Sequence, residues 1–345
     1  MQRTNETYVL FRTPHSKHFT TIRQKNVPRT FLSLNDVPLT GGYVIVPFTA
    51  TTSFPIVFIE PDSIETNELV LPKLNAPLST VTTHHEEAEK EAYSQAFSII
   101  KSLLNEVQPK VEKVVLSRRL HCTSLNLTQA HELFAKACLY RPSSYVALWH
   151  TPQTGSWLIA TPEPLLEYAH HQWNTVALAG TLPFVEGIEP QWNEKNREEQ
   201  AIVARFIEEQ MQGVATNVQK SETFTLQTGN LQHLCTHFNF DLAANNDVRT
   251  LLKKLHPTPA VCGLPREAAL QTILHTEATT RQYYAGFSGP LFLEGCTNLY
   301  VSLRCMSFNS QEATLYAGGG IMPQSTEQEE WEETQRKLIT MKQLL

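Results

Sequence analysis

Short apolar runs rich in β-branched residues, each bounded by turn residues, dominate the first part of the chain. They occupy residues 8–11, 41–48 and 54–61. Such runs predict strands of a mostly antiparallel sheet. Two later pairs of runs, 145–150 with 156–160 and 165–169 with 175–179, are each separated by only five residues. We expect the runs of each pair to be antiparallel neighbours.

Six segments are expected to form helices. They cover residues 88–107, 127–139, 194–211, 247–255, 265–279 and about 326–345. In the first and third, apolar residues recur at intervals of three and four, which gives each helix one buried side. Thr128 is the expected N-cap of the second helix. At the start of the last helix, Ser325 with Gln328, or Thr326 with Glu329, has the spacing of a capping box.

Further strands are expected at residues 111–122, 223–228, 284–293, 298–308 and 312–318. Because strands and helices do not alternate as they do in a β-α-β series, this order predicts an α+β fold with large antiparallel sheets. The chain has no internal repeat, low-complexity tract or linker. We therefore expect residues 1–345 to form a single domain.

Composition narrows the class of function. The chain has 345 residues, 41% of them hydrophobic, and 28 basic against 34 acidic residues, so its net charge is −6. A nucleic-acid-binding protein needs clustered positive charge, which this balance does not supply. No apolar stretch has the length of a signal peptide or a membrane helix, and the six cysteines form no C-x-x-C pair. We expect a cytoplasmic enzyme with reduced thiols and with no membrane or nucleic-acid partner.

Lys113 is an unusual residue for its place in the sequence. In VEKVVLSRR at 111–119, it lies within a predicted strand whose two faces are both largely apolar. A lysine buried there loses solvation, which favours the uncharged amine and makes Lys113 a candidate general base. The alternative is a lysine that extends to solvent from the end of a strand.

Three glutamates on predicted helices are candidate metal ligands. Glu199 lies on the same side of its helix as the apolar positions that follow it, whereas Glu330, Glu333 and Lys337 form one line along the last helix. A buried carboxylate needs a proton or a cation to offset its lost solvation. Mg²⁺ takes one or two carboxylates directly and keeps several waters. The alternatives are a carboxylate that reaches water and a solvated salt-bridge face.

Two further features suit a ligand with negative charge. The triplet Gly318–Gly320 lets the backbone approach a ligand and directs N–H groups at an anion, although a tight turn also accounts for it. Arg304 is a fixed positive charge among apolar residues and suits a carboxylate.

His233 and His237 have the spacing of zinc ligands on a helix. Zinc is not expected there, because no catalytic glutamate accompanies them and the segment continues into a strand-like FNF.

Taken in order, the motifs closely resemble those of the chorismate-binding enzymes. This family includes isochorismate synthase, salicylate synthase, and the large subunits of anthranilate and aminodeoxychorismate synthases. The motifs are KVVLSR, TPEPLL, AGT, K-x-R-x-E, LHPTPAV, R-x-YYAG, L-R-C, YAGGGI and E-W-E-E-T. They extend from about residue 111 to residue 340, whereas residues 1–110 fit only as the family's more variable first part.

The resemblance implies a single large α+β domain with two stacked, mostly antiparallel sheets, helices outside, and a Mg²⁺ site between two helices. It implies Glu199 and Glu333 as direct ligands of the metal and Glu330 as a water-mediated ligand. It also implies Lys113 as the base that activates water and Glu163 in TPEPLL as the acid opposite it. The residues implied to bind or surround the substrate are Thr181, His256, Tyr284, Arg304, Gly318, Gly320 and Lys337.

The residue at position 113 also implies the reaction. Family members that add ammonia tend to carry glutamine there, whereas members that add water carry lysine. The resemblance therefore implies an isochorismate synthase, an isomerase that adds water at C2 of chorismate with loss of the C4 hydroxyl, with no glutamine amidotransferase subunit. A product for menaquinone biosynthesis is expected. Salicylate synthase, an ammonia-using synthase, supply of a catechol siderophore and a non-catalytic chorismate-binding module are the alternatives.

Three positions depart from the family's pattern. Asn196 stands where relatives often have Asp or Glu, Gln200 replaces a frequent histidine, and AGTLPF at 179–184 lacks an arginine that many relatives carry after AGT. The first two bear on metal affinity. None of the three involves Lys113 or Glu163.

Overall fold

The structure is a computed structural model that describes residues 6–70, 81–124, 129–228, 231–242 and 246–345. Within these residues the strands form two sheets of ten strands each. Neighbouring strands in both sheets are antiparallel, from the pairing of β1 (Thr7–Arg12) with β2 (His18–Gln24) onwards. The architecture therefore confirms the predicted α+β class with two large antiparallel sheets.

The first sheet has the strand order β16-β8-β20-β19-β10-β9-β1-β2-β6, with β7 beside β8. Its remaining strands are β6 (Ser63–Glu68), β7 (Thr82–His84), β8 (Lys113–Thr123), β9 (Tyr145–Thr151), β10 (Gly155–Thr161), β16 (Gly263–Leu264), β19 (Cys305–Phe308) and β20 (Glu312–Ile321). The predicted hairpin of 145–150 with 156–160 is β9 with β10. Both chain halves thus contribute to this sheet.

The second sheet has the order β13-β15-β12-β11-β18-β17-β4-β5-β3, with β14 beside β15. Its strands are β3 (Arg29–Phe31), β4 (Gly42–Val46), β5 (Ile56–Ile59), β11 (Pro164–Ala169), β12 (Gln172–Pro183), β13 (Ala215–Lys220), β14 (Phe224–Thr228), β15 (Leu231–Leu242), β17 (Phe287–Leu291) and β18 (Thr297–Val301). The predicted pairing of 165–169 with 175–179 corresponds to β11 with β12, but the residues of β12 that pair with 167–169 are 172–174, so the turn is shorter than expected.

Six α-helices lie on the described part of the chain. They are α1 (Glu86–Leu104), α2 (Ala130–Tyr140), α3 (Glu194–Met211), α4 (Asn246–Leu255), α5 (Arg266–Thr276) and α6 (Glu327–Lys342). Helix α3 packs on β12, α6 on β20, and α1 and α5 on β8. None of the helices described is long and apolar enough to cross a bilayer.

The first sheet is buried on both faces, as the alternation along β9 shows. Tyr145 and Trp149 pack in the core between the two sheets, whereas Val146 and Leu148 pack in a second core against α2 and α6. Successive strand residues point to opposite faces, so both faces must be apolar to be covered in this way. The ring of Tyr145 stacks on that of Tyr300 of β18, with centroids 4.3 Å apart, and joins the two sheets.

The ends of two helices test the capping predictions. Helix α6 begins after Thr326, whose hydroxyl accepts the N–H of Glu329 at 3.4 Å and donates to the Glu329 carboxylate at 2.6 Å. Thr326 is therefore confirmed as the N-cap, although Glu329 accepts the Thr326 hydroxyl rather than its backbone N–H. Helix α2 has Gln129 at its N-cap position. Thr128, the predicted cap, lies outside the described residues.

The strand predicted at 298–308 is wrong as a single element. It is two strands, β18 in the second sheet and β19 in the first, and the chain crosses between the sheets at residues 302–304. Arg304 has a φ of 46°, in the left-handed region, which ends any strand. This break places Arg304 at the opening between the two sheets.

Candidate active site

The candidate site forms where β20 extends beyond the end of β19. The pairing of β19 with β20 reaches only to Cys305 opposite Tyr316. On the other side, β8 continues to pair with β20 through Gly318 and Gly320. One edge of the glycine triplet therefore has no neighbouring strand.

The peptide groups of Gly318 and Gly320 point towards that open edge. In β8, Ser117 donates its N–H to the Glu277 carboxylate and Val115 donates its N–H to a backbone carbonyl outside β20. Both β8 residues thus direct their peptide groups away from β20. Residues opposite each other in an antiparallel pair share this pattern, so the facing glycines direct their N–H groups away from β8. These N–H groups can donate hydrogen bonds to a ligand.

A cavity with about 690 Å³ of open space adjoins the glycines. It brings together most of the residues that the family resemblance names. Those that line it are Glu163, Thr181, Glu199, Tyr284, Arg304, Gly318, Gly320, Glu333 and Lys337. Lys113, Glu330 and His256 are not part of the lining.

Glycine is required at two of these positions by the side chains around them. A Cβ on Gly320 would lie 2.5 Å from Glu199 Oε1 and 2.7 Å from Lys113 Cε, and one on Gly318 would lie 2.8 Å from the Tyr284 hydroxyl oxygen. These distances are shorter than van der Waals contact. The triplet therefore lets charged groups approach the backbone, and it lies in a strand rather than in a turn.

Lys113 is fully buried at the start of β8, behind Gly320. Its Nζ lies 2.8 Å from Glu199 Oε1 on α3. The alternative of a lysine that reaches solvent is therefore wrong. Lys113 is separated from the cavity by Gly320 and by the Glu199 carboxylate, which does line the cavity.

Glu163 follows β10 and is buried in the wall of the cavity. Burial raises the pKa of its carboxyl from 4.5 to about 7, and the positive charges of Lys113, Lys337 and Arg304 only partly offset this effect. A carboxyl with such a pKa is protonated in a large fraction of molecules near neutral pH. Glu163 can therefore donate a proton there.

Two positively charged side chains, Arg304 and Lys337, line the cavity. Burial is the main cause that lowers the pKa of Arg304 to about 10, and the nearby charge of Arg141 acts in the same direction. At neutral pH Arg304 is still charged. Lys337 of α6 donates to the carbonyl oxygen of Gly318 at 2.8 Å and to Glu333 at 2.6 Å. These two cations can hold an anionic substrate despite the negative charge of the whole chain.

On the acidic side of the site, each of the three glutamates is paired with a lysine, but one carboxylate oxygen has no partner among the described residues. Glu330 of α6 is buried and forms an ion pair with Lys195 of α3, yet its Oε2 has no hydrogen-bond partner. Burial raises the pKa of Glu330, and the neighbouring charge of Glu333 raises it further. A buried carboxylate oxygen without a partner is costly. It indicates a place for a cation or a donor.

No set of three His, Cys, Asp or Glu side chains in the described ranges is arranged as a ready metal site. Glu199, Glu330 and Glu333 each contact a lysine instead. Two of them, Glu199 and Glu333, nevertheless line the same cavity and suit a hard divalent cation. Glu330 lies next to Glu333: a Cβ at Gly319 would lie 2.9 Å from Glu330 Oε2 and 3.9 Å from Glu333 Oε1. Carboxylate oxygens are the donors that Mg²⁺ prefers.

The structure corrects the prediction that His256 lines this cavity. The His256 ring lies beside Pro47, with Nε2 3.1 Å from the Pro47 carbonyl oxygen, and packs edge-on against Phe287. It borders a different cavity, next to β4. Burial lowers its pKa to about 4, so the neutral ring donates to Pro47. His256 thus has a structural partner away from the site.

His233 of β15 is a lining residue that the sequence reasoning missed. It occurs in HLCTH, which was considered only for zinc. Its Nδ1 lies 3.0 Å from the Gly180 carbonyl oxygen and 3.3 Å from Thr181 Oγ1, and its buried Nε2 has no partner. Burial lowers its pKa to about 3, so the ring is neutral. Because β15 is a strand, His233 and His237 lie on the same face of it. His233 is buried at the cavity, whereas His237 is exposed.

Two of the residues that depart from the family pattern, Asn196 and Gln200, belong to α3 and do not line the cavity. Gln200 is buried, and its side-chain amide donates to Thr236 Oγ1 at 2.8 Å. Asn196 packs against Gly180, and its buried Oδ1 has no partner. A carboxylate at position 196 would add a charge behind Lys195, so asparagine lowers the negative charge around α3.

Comparison with known proteins agrees with the geometry. The family model described as "Chorismate binding enzyme" matches residues 62–345. Isochorismate synthase EntC of Escherichia coli K12 is 32% identical over 244 residues, which make up 68% of this chain and 62% of EntC. Thus the matched part spans less than two thirds of that relative.

Two solved structures have the same fold. A putative 2,3-dihydroxybenzoate-specific isochorismate synthase, DhbC from Bacillus anthracis, superimposes with a TM-score of 0.84 at 21% identity, over 99% of this chain and 97% of that one. MenF, the menaquinone-specific isochorismate synthase of E. coli, superimposes with a TM-score of 0.80 at 22% identity, over 100% of this chain and 90% of that one.

Proposed function

The chain belongs to the chorismate-binding enzymes, and from this premise we propose that it is an isochorismate synthase. The observation that carries the proposal is the cavity in which a protonatable Glu163 faces charged groups that suit a dicarboxylate. Lys113 is close enough to lower the pKa of Glu163. Glu163 lines this cavity, and the candidate base Lys113 lies behind the cavity wall, 2.8 Å from the lining residue Glu199. The addition of water with loss of a hydroxyl requires both an acid and a base.

Chorismate is a dianion, and the proposed substrate contacts follow from the charges in the cavity. Arg304 and the Tyr284 hydroxyl bind one carboxylate, and the outward N–H groups of Gly318 and Gly320 supply further donors. Lys337 keeps Glu333 and the Gly318 carbonyl in place. The neutral His233 offers its unpaired Nε2 as a donor or acceptor to a ring oxygen. These contacts orient the ring between α3 and β20.

The proposed reaction divides two proton transfers between Lys113 and Glu163. Lys113 removes a proton from water as its oxygen forms the bond to C2, and Glu163 donates a proton to the hydroxyl that leaves C4 while the ring double bonds shift. One water enters and one leaves, so the atoms balance. The same two residues with exchanged roles catalyse the reverse reaction. Each transfer contributes roughly 10²–10⁴ in rate.

We further propose Mg²⁺ as the cofactor, held by Glu199 and Glu333 directly and by Glu330 through water. The ion would neutralise the substrate's ring carboxylate and make the conjugated ring more electrophilic. Glu199 would then be shared between the ion and Lys113, whose Nζ lies 2.8 Å from Glu199 Oε1.

Salicylate synthase is the second candidate, because it forms isochorismate before it eliminates pyruvate in the same cavity. Lys113 and the three glutamates serve either product. An ammonia-using synthase is disfavoured by lysine rather than glutamine at position 113, so no amidotransferase subunit is proposed. The similar proteins include both a menaquinone-specific and a 2,3-dihydroxybenzoate-specific enzyme. We propose menaquinone biosynthesis as the pathway, with siderophore supply as its alternative.

Product analysis tests this proposal. Purified protein is incubated with chorismate and Mg²⁺, with and without ammonium, and the products are separated by chromatography. Isochorismate alone is the expected product in both arms. Salicylate with an equal amount of pyruvate would replace the proposal by its second candidate, and an amine product without isochorismate would contradict both. Deletion of the gene tests the pathway. The deletion strain should grow only when menaquinone is supplied.

A further inference from the structure

A second cavity, with about 460 Å³ of open space, lies at the edge of β8. On this edge β16 pairs only with Lys113 and Val114, and β7 pairs only with residues 121–123. In the described part of the chain, the middle of β8 therefore has no strand beside it. Helix α1 and the segment 277–281 after α5 cover the gap.

Charged side chains take the place of the missing strand. The Glu277 carboxylate accepts the N–H of Ser117 at 2.8 Å, and Arg281 donates to the Val115 carbonyl at 2.7 Å. Arg281 also donates to Glu277 at 2.8 Å. This buried pair satisfies the edge of the strand and leaves no net charge of its own.

Two further arginines line the cavity, and only one has a carboxylate partner. Arg119 forms an ion pair with Glu89 of α1 at 3.0 Å, but its Nε is buried without a partner. Arg118 is 4% exposed and forms no ion pair in the described ranges. Its Nε donates to Thr334 at 2.7 Å, while its Nη1 is buried without a partner. Among the arginines and glutamates of the lining, the balance is one positive charge.

Burial lowers the pKa of Arg118 to about 10, and the charges of Glu86 and Glu89 offset this effect only in part. A buried cation without a counter-ion is costly, and each unmade hydrogen bond of a buried donor costs about 1–3 kcal/mol. Guanidinium groups bind carboxylate and phosphate oxygens through pairs of N–H donors. Arg118 and Arg119 both line the cavity, and each has one buried guanidinium nitrogen without a partner among the described residues.

We propose that this second cavity is a binding site for a small oxyanion, a carboxylate or phosphate group that Arg118 holds with help from Arg119. The proposal goes beyond the proposed function, since no group of the chorismate chemistry lies in this cavity apart from the shared wall residue Tyr316. The exposed segment 278–280 forms the outer rim, through which an anion enters.

The position of Arg118 links an anion there to the first cavity. Its guanidinium carbon lies 3.7 Å from the ring centroid of Trp331, and its Nε holds Thr334. These two residues alternate along α6 with Glu330 and Glu333. An anion that draws Arg118 towards it acts on the turn of α6 that carries both glutamates. Binding at the two sites is therefore coupled, and the coupling is reciprocal.

Calorimetric titration tests the site directly. The whole protein is titrated with inorganic phosphate and, separately, with succinate, at constant ionic strength maintained with chloride. Binding of either probe that persists when the first cavity has lost Arg304 supports the site and identifies whether phosphate or carboxylate is preferred. If neither binds up to millimolar concentration, the proposal is overturned, and ordered water must satisfy the two arginines.

Three variants locate the binding. Arg118→Met keeps a long side chain over Trp331 but removes the charge, and Ala92→Glu on the α1 wall supplies a carboxylate within the chain while leaving Arg118 in place. Each variant should weaken binding roughly tenfold or more. Arg118→Met removes the charged hydrogen-bond donor, and in Ala92→Glu the new carboxylate takes the place of the anion at Arg118. Arg304→Met, which removes the fixed cation of the first cavity, should leave binding at the second cavity unchanged. Loss of binding in Arg304→Met alone, with Ala92→Glu unaffected, would place the anion in the first cavity and refute the proposal.

Discussion

Replacing Glu163 by glutamine separates the chemical role of this carboxyl from its effect on stability. The substitution keeps the size of the side chain and its place in the wall of the cavity, but it removes the proton that Glu163 is proposed to donate. Turnover of chorismate should fall by roughly 10²–10⁴-fold. Binding of chorismate should change little, because Arg304 and Lys337 supply the positive charge.

The pH dependence of the parent enzyme follows from the same pKa. Glu163 is the acid in the forward reaction, so its protonated form is the active one. With a pKa of about 7, the forward kcat/KM should decrease as pH rises through about 7 on account of this group. In Glu163→Gln the residual activity should lack this decrease.

Stability should change in the opposite direction to activity. The pKa of Glu163 is raised in the folded protein, so the folded state retains a proton between pH 4.5 and about 7 that the unfolded chain has lost. The stability this group contributes is therefore complete below pH 4.5 and is lost as pH rises through 7. The difference amounts to about 3 kcal/mol. Glu163→Gln should thus be more stable than the parent at pH 8, by up to that amount, and similar at pH 4.5.

The measurements are steady-state kinetics and urea unfolding at several pH values. Glu167→Gln is a matched control, because burial also raises the pKa of Glu167 but this residue accepts a hydrogen bond from Tyr300 and does not line the cavity. It should keep parental turnover. Parental turnover in Glu163→Gln, or a stability difference that does not vary with pH, would refute the reasoning.

Three other predictions concern Lys113, Glu333 and Gly318. Lys113→Ala should bind chorismate, measured by calorimetry, but lose turnover by roughly 10²–10⁴-fold; a parental rate would remove Lys113 from the mechanism. Glu333→Ala should lose both activity and Mg²⁺ binding, and unchanged Mg²⁺ affinity in a calorimetric titration would exclude it as a ligand. Gly318→Ala should raise KM and lower the midpoint of thermal unfolding, since its Cβ would lie 2.8 Å from the Tyr284 hydroxyl. Adding Tyr284→Phe should recover part of that stability, and no recovery would place the strain elsewhere.

The regular elements were predictable where one periodicity governs a segment. Helix α3 has the bounds expected from its apolar spacing, and both hairpins occur where paired runs were found. The order of elements, with no β-α-β series, was enough to predict the α+β class. The pairing of distant strands could not be predicted, since β8 meets β20 across two hundred residues and only tertiary packing selects that partner.

The site could be predicted only as far as motifs reveal it. Arg304 was identified as a cation among apolar residues, but its left-handed backbone, which separates β18 from β19, has no signature in the apolar pattern. His256 and His233 both occur in motif-like strings, and only the fold shows that the first binds Pro47 while the second lines the cavity. The lysine partners of Glu199 and Glu330 were also not predicted, because each pair joins two different elements. Glu333 and Lys337, in contrast, form an i,i+4 pair along the line that the sequence indicated on the last helix.

The source of the incoming oxygen tests the central claim most directly. The reaction is started with unlabelled chorismate in water enriched in ¹⁸O, and isochorismate is analysed by mass spectrometry at early times. Attack of solvent water at C2 predicts one ¹⁸O atom in the first isochorismate formed, located in its C2 hydroxyl. Isochorismate without the label would show that the hydroxyl is transferred within the molecule, and the roles assigned to Lys113 and Glu163 would be wrong.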